Sequence, residues 1–253
     1  MIQTILNHRS IRKYSNKKIE KQILDEILLA ATRASTTGNM QIYSIIVTQN
    51  EELKNRLWEV HFKQDMVKQA PVVLTFCADM NRFNKWCELR NANPAYDNFL
   101  WFYNASIDAV LAAQNATLAA EDHGLGVCYL GTTTYMAEKI ADILDLPKHV
   151  VPVTTLVVGY PDEAPELTDR LPLEAVVHYE KYHNYTDMKI NELYKEKENA
   201  TLTKELLKIN EVKNLAQVFT QKRYVEKDNK FFSKSFLTFI KKQGFMNNNL
   251  SSM

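Results

Sequence analysis

The sequence predicts one chain in which helices and strands are interleaved, a fold of the α/β or α+β class. Two observations lead there. Segments with apolar residues three and four apart alternate with short β-branched or uniformly apolar runs. The 253 residues are 45% apolar and 24% charged, which suits a globular protein able to bury a sizeable core. Periodicity alone does not choose between the two classes.

Residues 19–34 read as an amphipathic helix, with Ile23, Leu24, Ile27, Leu28 and Ala31 on one face. A β-branched strand follows at 42–47, then a helix at 51–62. The run Val72-Val73-Leu74-Thr75-Phe76-Cys77-Ala78 is apolar almost throughout, as a strand buried on both faces requires. Residues 97–122 form the longest helical pattern, with Ile107, Val110, Leu111, Gln114 and Leu118 at helical spacing. Alanines between Ala105 and Ala120 keep this helix slim enough for a close neighbour, and Gly124 ends it. A short strand is expected at 127–130, a helix at 136–146 and an apolar strand at 152–158. The stretch 161–172 is a loop rich in proline and acid. Helices at 189–199, 202–215 and 233–242 complete the chain, the last with Ser233 as N-cap and Gly244 as stop.

Composition excludes several classes. No run of about 18 uncharged apolar residues exists, so no membrane-spanning helix and no membrane partner are expected. The N-terminus carries His8 and Arg9 where a signal peptide would need an apolar core. Three cysteines, Cys77, Cys87 and Cys128, make no disulfide framework, which fits a reducing cytoplasm. Cys77 and Cys128 read as core thiols, and the tryptophans and Phe99–Tyr103 as packing or interface residues. No triphosphate-binding loop or zinc motif is present.

Net charge is +1 but uneven: residues 181–253 hold 14 Lys and Arg against 8 Asp and Glu, leaving 17 and 22 in the front part. The basic tract is laced with Glu and has no nucleic-acid signature, so no nucleic acid is expected. It reads as a solvated helical face or as a rim that attracts a phosphate-bearing cofactor.

Two segments carry the chemistry. His8-Arg9-Ser10-Ile11-Arg12-Lys13-Tyr14 gathers cations and a hydroxyl just after a short first helix, donors suited to a phosphate. Gly124-Leu125-Gly126-Val127-Cys128-Tyr129-Leu130-Gly131 leaves the long helix and enters a strand. It is not a dinucleotide fingerprint, because Tyr129 stands where a third glycine belongs and the order is helix then strand. Residues 33–41, Arg-Ala-Ser-Thr-Thr-Gly-Asn-Met-Gln, form a loop of small polar residues that a flat ligand can approach.

Together these segments resemble the flavin site of the nitroreductase family, in the branch of NADPH-dependent flavin, quinone and nitro reductases with a C-terminal extension. The resemblance runs from His8 to about Phe245. It implies an α+β fold with a mixed, mostly antiparallel sheet flanked by helices, in an intertwined homodimer. Residues 1–180 would be the FMN-binding core and 181–253 a helical extension of the same domain. It further implies FMN as cofactor and NADPH or NADH as co-substrate. Hydride would pass to the flavin and on to a nitroaromatic, quinone or free flavin by a ping-pong mechanism. A flavin carrier or sensor without turnover is the alternative.

By the same resemblance His8 and Ser10 bind the phosphate with help from Arg9, and Arg12 reaches the ring. Ser35, Thr36 and Thr37 hold the ribityl chain and ring edge, with Gln41 supporting their loop. Gln64 faces the pyrimidine end, and Tyr129, Leu130, Gly131 and Thr132 lie against the ring. No side chain is required as a general acid. The family's Lys-x-Arg-Leu-Pro clamp appears as Thr168-Asp169-Arg170-Leu171-Pro172, which keeps Arg170 but has Thr168 for a cation. A late arginine of related reductases appears as Lys234, which can neutralise charge without bidentate geometry. Arg223 and Lys234 are the expected contacts to the nicotinamide substrate.

Overall fold

The computed structural model describes residues 2–247. The chain divides into two compact units, Met1–Glu166 with Phe232–Met253, and Leu167–Phe231. The first unit holds α1 (Gln3–Leu6), α2 (Lys21–Thr32), β1 (Tyr43–Thr48), α3 (Glu51–Val60), α4 (Met66–Gln69), β2 (Val72–Asp79), α5 (Asn81–Glu88), α6 (Phe99–Asp122), β3 (Gly126–Leu130), α7 (Thr132–Tyr135), α8 (Ala137–Ile143) and β4 (Val150–Gly159). The second holds α9 (Asp187–Asn199), α10 (Thr201–Asn210), α11 (Leu215–Gln217) and a π-helical turn, Val218–Arg223. The last helix, α12 (Glu226–Lys242), begins in the second unit and continues into the first.

The strands form one sheet in the order β1-β2-β4-β3, and every neighbouring pair is antiparallel. The architecture is therefore α+β. The eight residues of β2 are all buried, as its apolar run predicts. Side chains alternate between the faces. Val72, Leu74, Phe76, Val127, Leu156 and Val158 join a cluster with α2 and α6 residues, whereas Val73, Cys128, Leu130 and Val157 join Leu57, Val67 and Ile140.

Helix α6 is apolar on two sides. Ala105, Ala109, Ala112, Ala113, Ala116 and Ala120 are fully buried. On its other side Leu100, Tyr103, Ile107, Val110 and Leu111 are exposed. At its end Gly124 takes φ +72°, so that Leu125 N–H donates to Ala120 O at 2.9 Å and Gly124 N–H to Glu121 O at 3.0 Å. These two bonds satisfy carbonyls that the helix would leave unpaired.

Some boundaries differ from the expectation. Helix α12 starts at Glu226, so Ser233 lies inside it rather than capping it. The acidic first turn, Glu226 and Asp228, suits a helix start, and Phe232 and Phe236 continue the spacing that buries Phe239 and Ile240. The helix expected over 202–215 stops at Asn210, because Glu211 adopts a left-handed conformation at φ +54°. The 136–146 helix is shorter, and the one-turn α7 has too few residues for a periodic signal.

Candidate functional site

The two chemistry-bearing segments lie side by side. Ser10 bridges Val127 in parallel register, and Ile11 N–H donates to Val127 O at 2.8 Å. The contact requires glycine at 126, since a Cβ there would stand 2.6 Å from Cγ1 of Ile11. The segment after α1 is thus pinned along β3.

Its cations have different surroundings. His8 Nδ1 lies 2.7 Å from Glu121 Oε1 at the end of α6, so its ring is committed to a carboxylate. Arg9 is half-buried, and its Nε has no partner among the described residues. With Glu121, Gly124, Gly126, Pro161 and Glu163 it lines a cavity of about 600 Å³. Ser10 and Arg12 lie next to Cys128. Burial raises the Cys128 thiol pKa above its ordinary value, against the Arg12 charge and a Ser10 hydrogen bond, which pull it down. The Arg12 guanidinium is exposed and donates to Ser10 O at 3.5 Å. Glu163 Oε1 accepts the backbone N–H groups of Arg12 (2.5 Å) and Lys13 (3.1 Å), which fixes the chain below the guanidinium.

In the small polar loop, the Thr37 backbone N–H and hydroxyl both donate to Asp108 Oδ1, at 2.9 and 3.0 Å. Asp108 is 1% exposed, and its Oδ2 has no partner among the described residues. Ser35 is exposed and Thr36 half-buried. Gln41 Nε2 lies within hydrogen-bond distance of Asn39 O and Oδ1 in the same loop, at 3.0 and 3.1 Å.

At the end of β3 the Tyr129 hydroxyl is held against α6, accepting from Thr117 at 2.9 Å and donating to Gln114 at 3.4 Å. What Tyr129 can offer a flat ligand is backbone. Leu130 is buried in the core. Gly131 is exposed, and a Cβ on it would meet nothing within 4 Å. Beside this open step Thr132 is buried, with His61 Nδ1 2.8 Å from its Oγ1 and Gln64 Nε2 at 3.4 Å. Gln64 Nε2 also donates to His61 O at 3.0 Å. His61 is fully buried, and burial lowers its pKa to about 4, so the ring is neutral at ordinary pH. Between His61 and Gln64 the chain reverses through Phe62 and Lys63, both left-handed at φ +57° and +56°. Two successive bulky residues in that region store strain, a feature that gathers at binding sites.

Lys234 is exposed on α12, two residues after Phe232, whose ring stacks on Tyr135 at 4.5 Å. Arg170 and Arg223 belong to the second unit, and both are exposed. Arg170 Nη1 donates to Thr168 Oγ1 at 2.7 Å, so the residue that replaces a cation has become the arginine's acceptor. Arg223 ends the π-helical turn.

Sequence reasoning missed His61, Asp108, Glu121 and Glu163. Two of them carried a signal. His61 ends α3 as its C-cap, one turn after the buried Leu57, and Asp108 interrupts the alanine stripe of α6. A histidine or carboxylate in an apolar stripe is costly to bury unless it is partnered.

The residues fit a flavin mononucleotide. Exposed backbone at Gly131 suits a flat ring, Ser10 and Arg12 supply donors on the adjoining segment, and Gln64 hydrogen-bonds through Nε2 with no partner on its carbonyl oxygen among the described residues.

An antiparallel α+β sheet with an open glycine at the end of β3 and a cationic segment bridged to that strand defines a nitroreductase-type fold. The nitroreductase family profile matches residues 5–160, and the chain belongs to that family. It is 37% identical over 188 residues to FMN reductase (NADPH) of Bacillus subtilis (strain 168), covering 74% of this chain and 76% of that protein. Among solved structures, an oxidoreductase from Bacteroides fragilis NCTC 9343 shares 50% identity at a TM-score of 0.96, covering 97% of this chain and 100% of that one. The NADPH:FMN oxidoreductase from Vibrio harveyi, solved with NAD+, shares 27% identity at a TM-score of 0.82, covering 98% and 99%.

Proposed function

We propose that this chain is an FMN-dependent oxidoreductase that takes reducing equivalents from NADPH or NADH and passes them to a nitroaromatic, a quinone or free flavin. The observation that carries the reading is the bridge between Ser10 and Val127, which sets the cationic segment beside the strand ending in the open Gly131. The FMN reductase and the NAD+-bound oxidoreductase among its relatives support the same chemistry over a carrier without turnover.

FMN supplies the hydride-accepting centre when bound. The chain's residues bind and orient it. Ser10 and Arg12 are the phosphate and ring donors, and Arg9 lies in reserve beside Glu121. His8, paired with Glu121, acts best as a brace for this segment. Ser35, Thr36 and Thr37 form the ribityl loop, anchored through Asp108. Arg12 is the cation that favours negative charge on the reduced ring. Gln64 and Thr132 address the ring edge, while Tyr129, Leu130 and Gly131 give it backbone. Lys234 and, in the second unit, Arg223 are each an exposed cation that can draw the phosphates of a nicotinamide substrate through solvent, and residues 181–253 are read as a helical extension of the core at 1–180. No helix among the described residues is long and apolar enough to cross a membrane, and the three buried free cysteines suit a reducing cytoplasm.

The exposed apolar stripe of α6 favours a homodimer. The alanines first suited to a partner helix are buried within this chain, and the larger residues opposite remain for a second copy.

Anaerobic mixing with NADPH or NADH tests the reading. Bound FMN should bleach rapidly and recover its absorbance when a quinone or nitroaromatic is added. A protein that keeps its FMN and stays yellow with both donors is a carrier.

A further inference from the structure

A second cavity, of about 540 Å³, opens between the small polar loop and α5 and is lined by Gly38, Asn39, Met40, Arg82, Phe83 and Trp86. Arg82 and Trp86 stand four positions apart on α5, so the guanidinium and the indole share one face of the helix. The Trp86 ring is 54% exposed yet firmly backed. Its centroid lies 5.4 Å from Phe83, which lies 5.5 Å from Tyr96, itself 4.4 Å from Trp101. The loop side is equally fixed. Gly38, Asn39 and Gln41 are all left-handed, at φ +54°, +55° and +53°. Arg82 Nη2 donates to Gln41 O, and Gln41 Nε2 lies 3.0 and 3.1 Å from Asn39 O and Oδ1, so one arginine ties the strained loop to the helix. A pocket preformed in this way costs little ordering when it is filled.

The side chains around it supply donors. The Arg82 guanidinium makes one hydrogen bond among the described residues, to Gln41 O, and keeps its other N–H groups. Trp86 adds an indole N–H, and Asn39, whose Oδ1 faces Gln41, keeps Nδ2. No carboxylate lines the cavity among the described residues. Asp79 is buried under the start of α5, where it accepts from the Ser44 hydroxyl and, at 3.3 Å, from the Arg82 backbone N–H. Two other cavities differ in this respect. The one at Arg9 is lined by Glu121 and Glu163, and one in the second unit, at Tyr194 and Phe219, by Glu198. We propose that the Arg82–Trp86 cavity is a binding site for a planar aromatic anion, with its ring stacked on the indole and its charged oxygens on the Arg82 fork. A guanidinium matches two oxygens of one group, and an indole face matches a flat ring. The site goes beyond the flavin reading and needs no flavin.

The indole itself reports occupancy. The chain has three tryptophans, Trp58, Trp86 and Trp101, so 15N NMR of the protein as purified resolves their indole signals, and Trp86→Phe identifies the one at the site. The probes are 4-nitrobenzoate and 4-nitrobenzamide, which share a ring and a shape and differ in charge. The Trp86 signal should move saturably with both, while that of Trp58, whose Nε1 is buried, stays in place. The benzoate should bind more tightly by about fivefold or more at low salt. Arg82→Gln, which keeps an amide donor for Gln41 O, and Asn39→Asp, which puts a carboxylate in the lining, should each bring that ratio toward one. Arg82→Lys should keep a smaller preference. Wild-type Trp58 and Trp101 signals in these variants establish that the fold is intact. A Trp86 signal that ignores both probes up to their solubility overturns the proposal. So does equal affinity for the two probes, or a ratio that Arg82→Gln and Asn39→Asp leave unchanged. Because the readout is the indole, protein that fails to take up FMN loses the flavin reading and leaves this test as it stands.

Discussion

The wall behind Gly131 and the exposed cations of the chain are held in opposite ways. His61 and Thr132 are buried, and with Gln64 they form one connected chain of hydrogen bonds. Arg12, Lys234 and Arg223 are exposed, and among the described residues the Arg12 guanidinium makes one long hydrogen bond, to Ser10 O. Buried groups act at short range and in low dielectric, so they can fix the orientation of a ring. Exposed cations act through solvent and supply charge with little geometry. Substitutions in the wall should therefore be costly and insensitive to salt, and those of the exposed cations mild and screened.

The largest effect is expected from His61. Its pKa is about 4 in the fold against 6.5 for the free side chain. Between those values the unfolded chain holds a proton that the folded one refuses, so stability rises with pH through that window. The contribution is complete above about pH 6.5 and lost as pH falls toward 4, about 3 kcal/mol in all. Urea unfolding from pH 7 to 4 should show this slope, and His61→Asn should flatten it. An equal slope in both proteins would place the acid sensitivity elsewhere.

Gly126→Ala comes next. Its Cβ would press on Ile11 at 2.6 Å, and overpacking of this kind costs about 1–3 kcal/mol. Thermal unfolding should register the loss, and FMN affinity should fall with it because the 8–12 segment is pushed off β3. A stable variant with full affinity would show that the two segments need not touch.

Arg12→Ala should weaken reduced FMN more than oxidised FMN. A tenfold difference lowers the two-electron midpoint potential by about 30 mV. An unchanged potential with FMN bound would mean that Arg12 does not face the ring.

Smallest of all are the substitutions of the exposed late cations. Arg223→Ala or Lys234→Ala should raise the KM for NADPH a few-fold at low salt, and less at high salt. The kcat at saturating donor should hold, because uniform binding is what is removed. No change in KM at low salt would make the basic tract a solvated surface.

The same contrast explains how much could be read beforehand. The sheet strands, α2, α3 and α6 were legible because long apolar periodicities record which face is buried, and Gly124 and Gly244 mark helix ends through positive φ. The start of α12 was missed because residues 226–232 are mostly polar, and only their alignment with Phe236, Phe239 and Ile240 makes them helical. The cationic motif and the glycine-bearing strand were visible as segments, but their pairing is a long-range contact that neither segment encodes alone. The His8 ring was expected to bind a phosphate, and its pairing at Nδ1 was not foreseen. Its partner Glu121 is a carboxylate over a hundred positions away, which local sequence does not reveal. His61 escaped for a related reason: its meaning depends on Thr132 and Gln64, one of them far along the chain.

A crystal structure of the protein grown with FMN tests the central claim most directly. The flavin ring should lie on the backbone of residues 129–131, with its pyrimidine edge at Gln64 and Arg12 and its phosphate at Ser10. Density for the flavin in the cavity lined by Arg9, Gly124 and Pro161, or anywhere away from Gly131, would contradict the account.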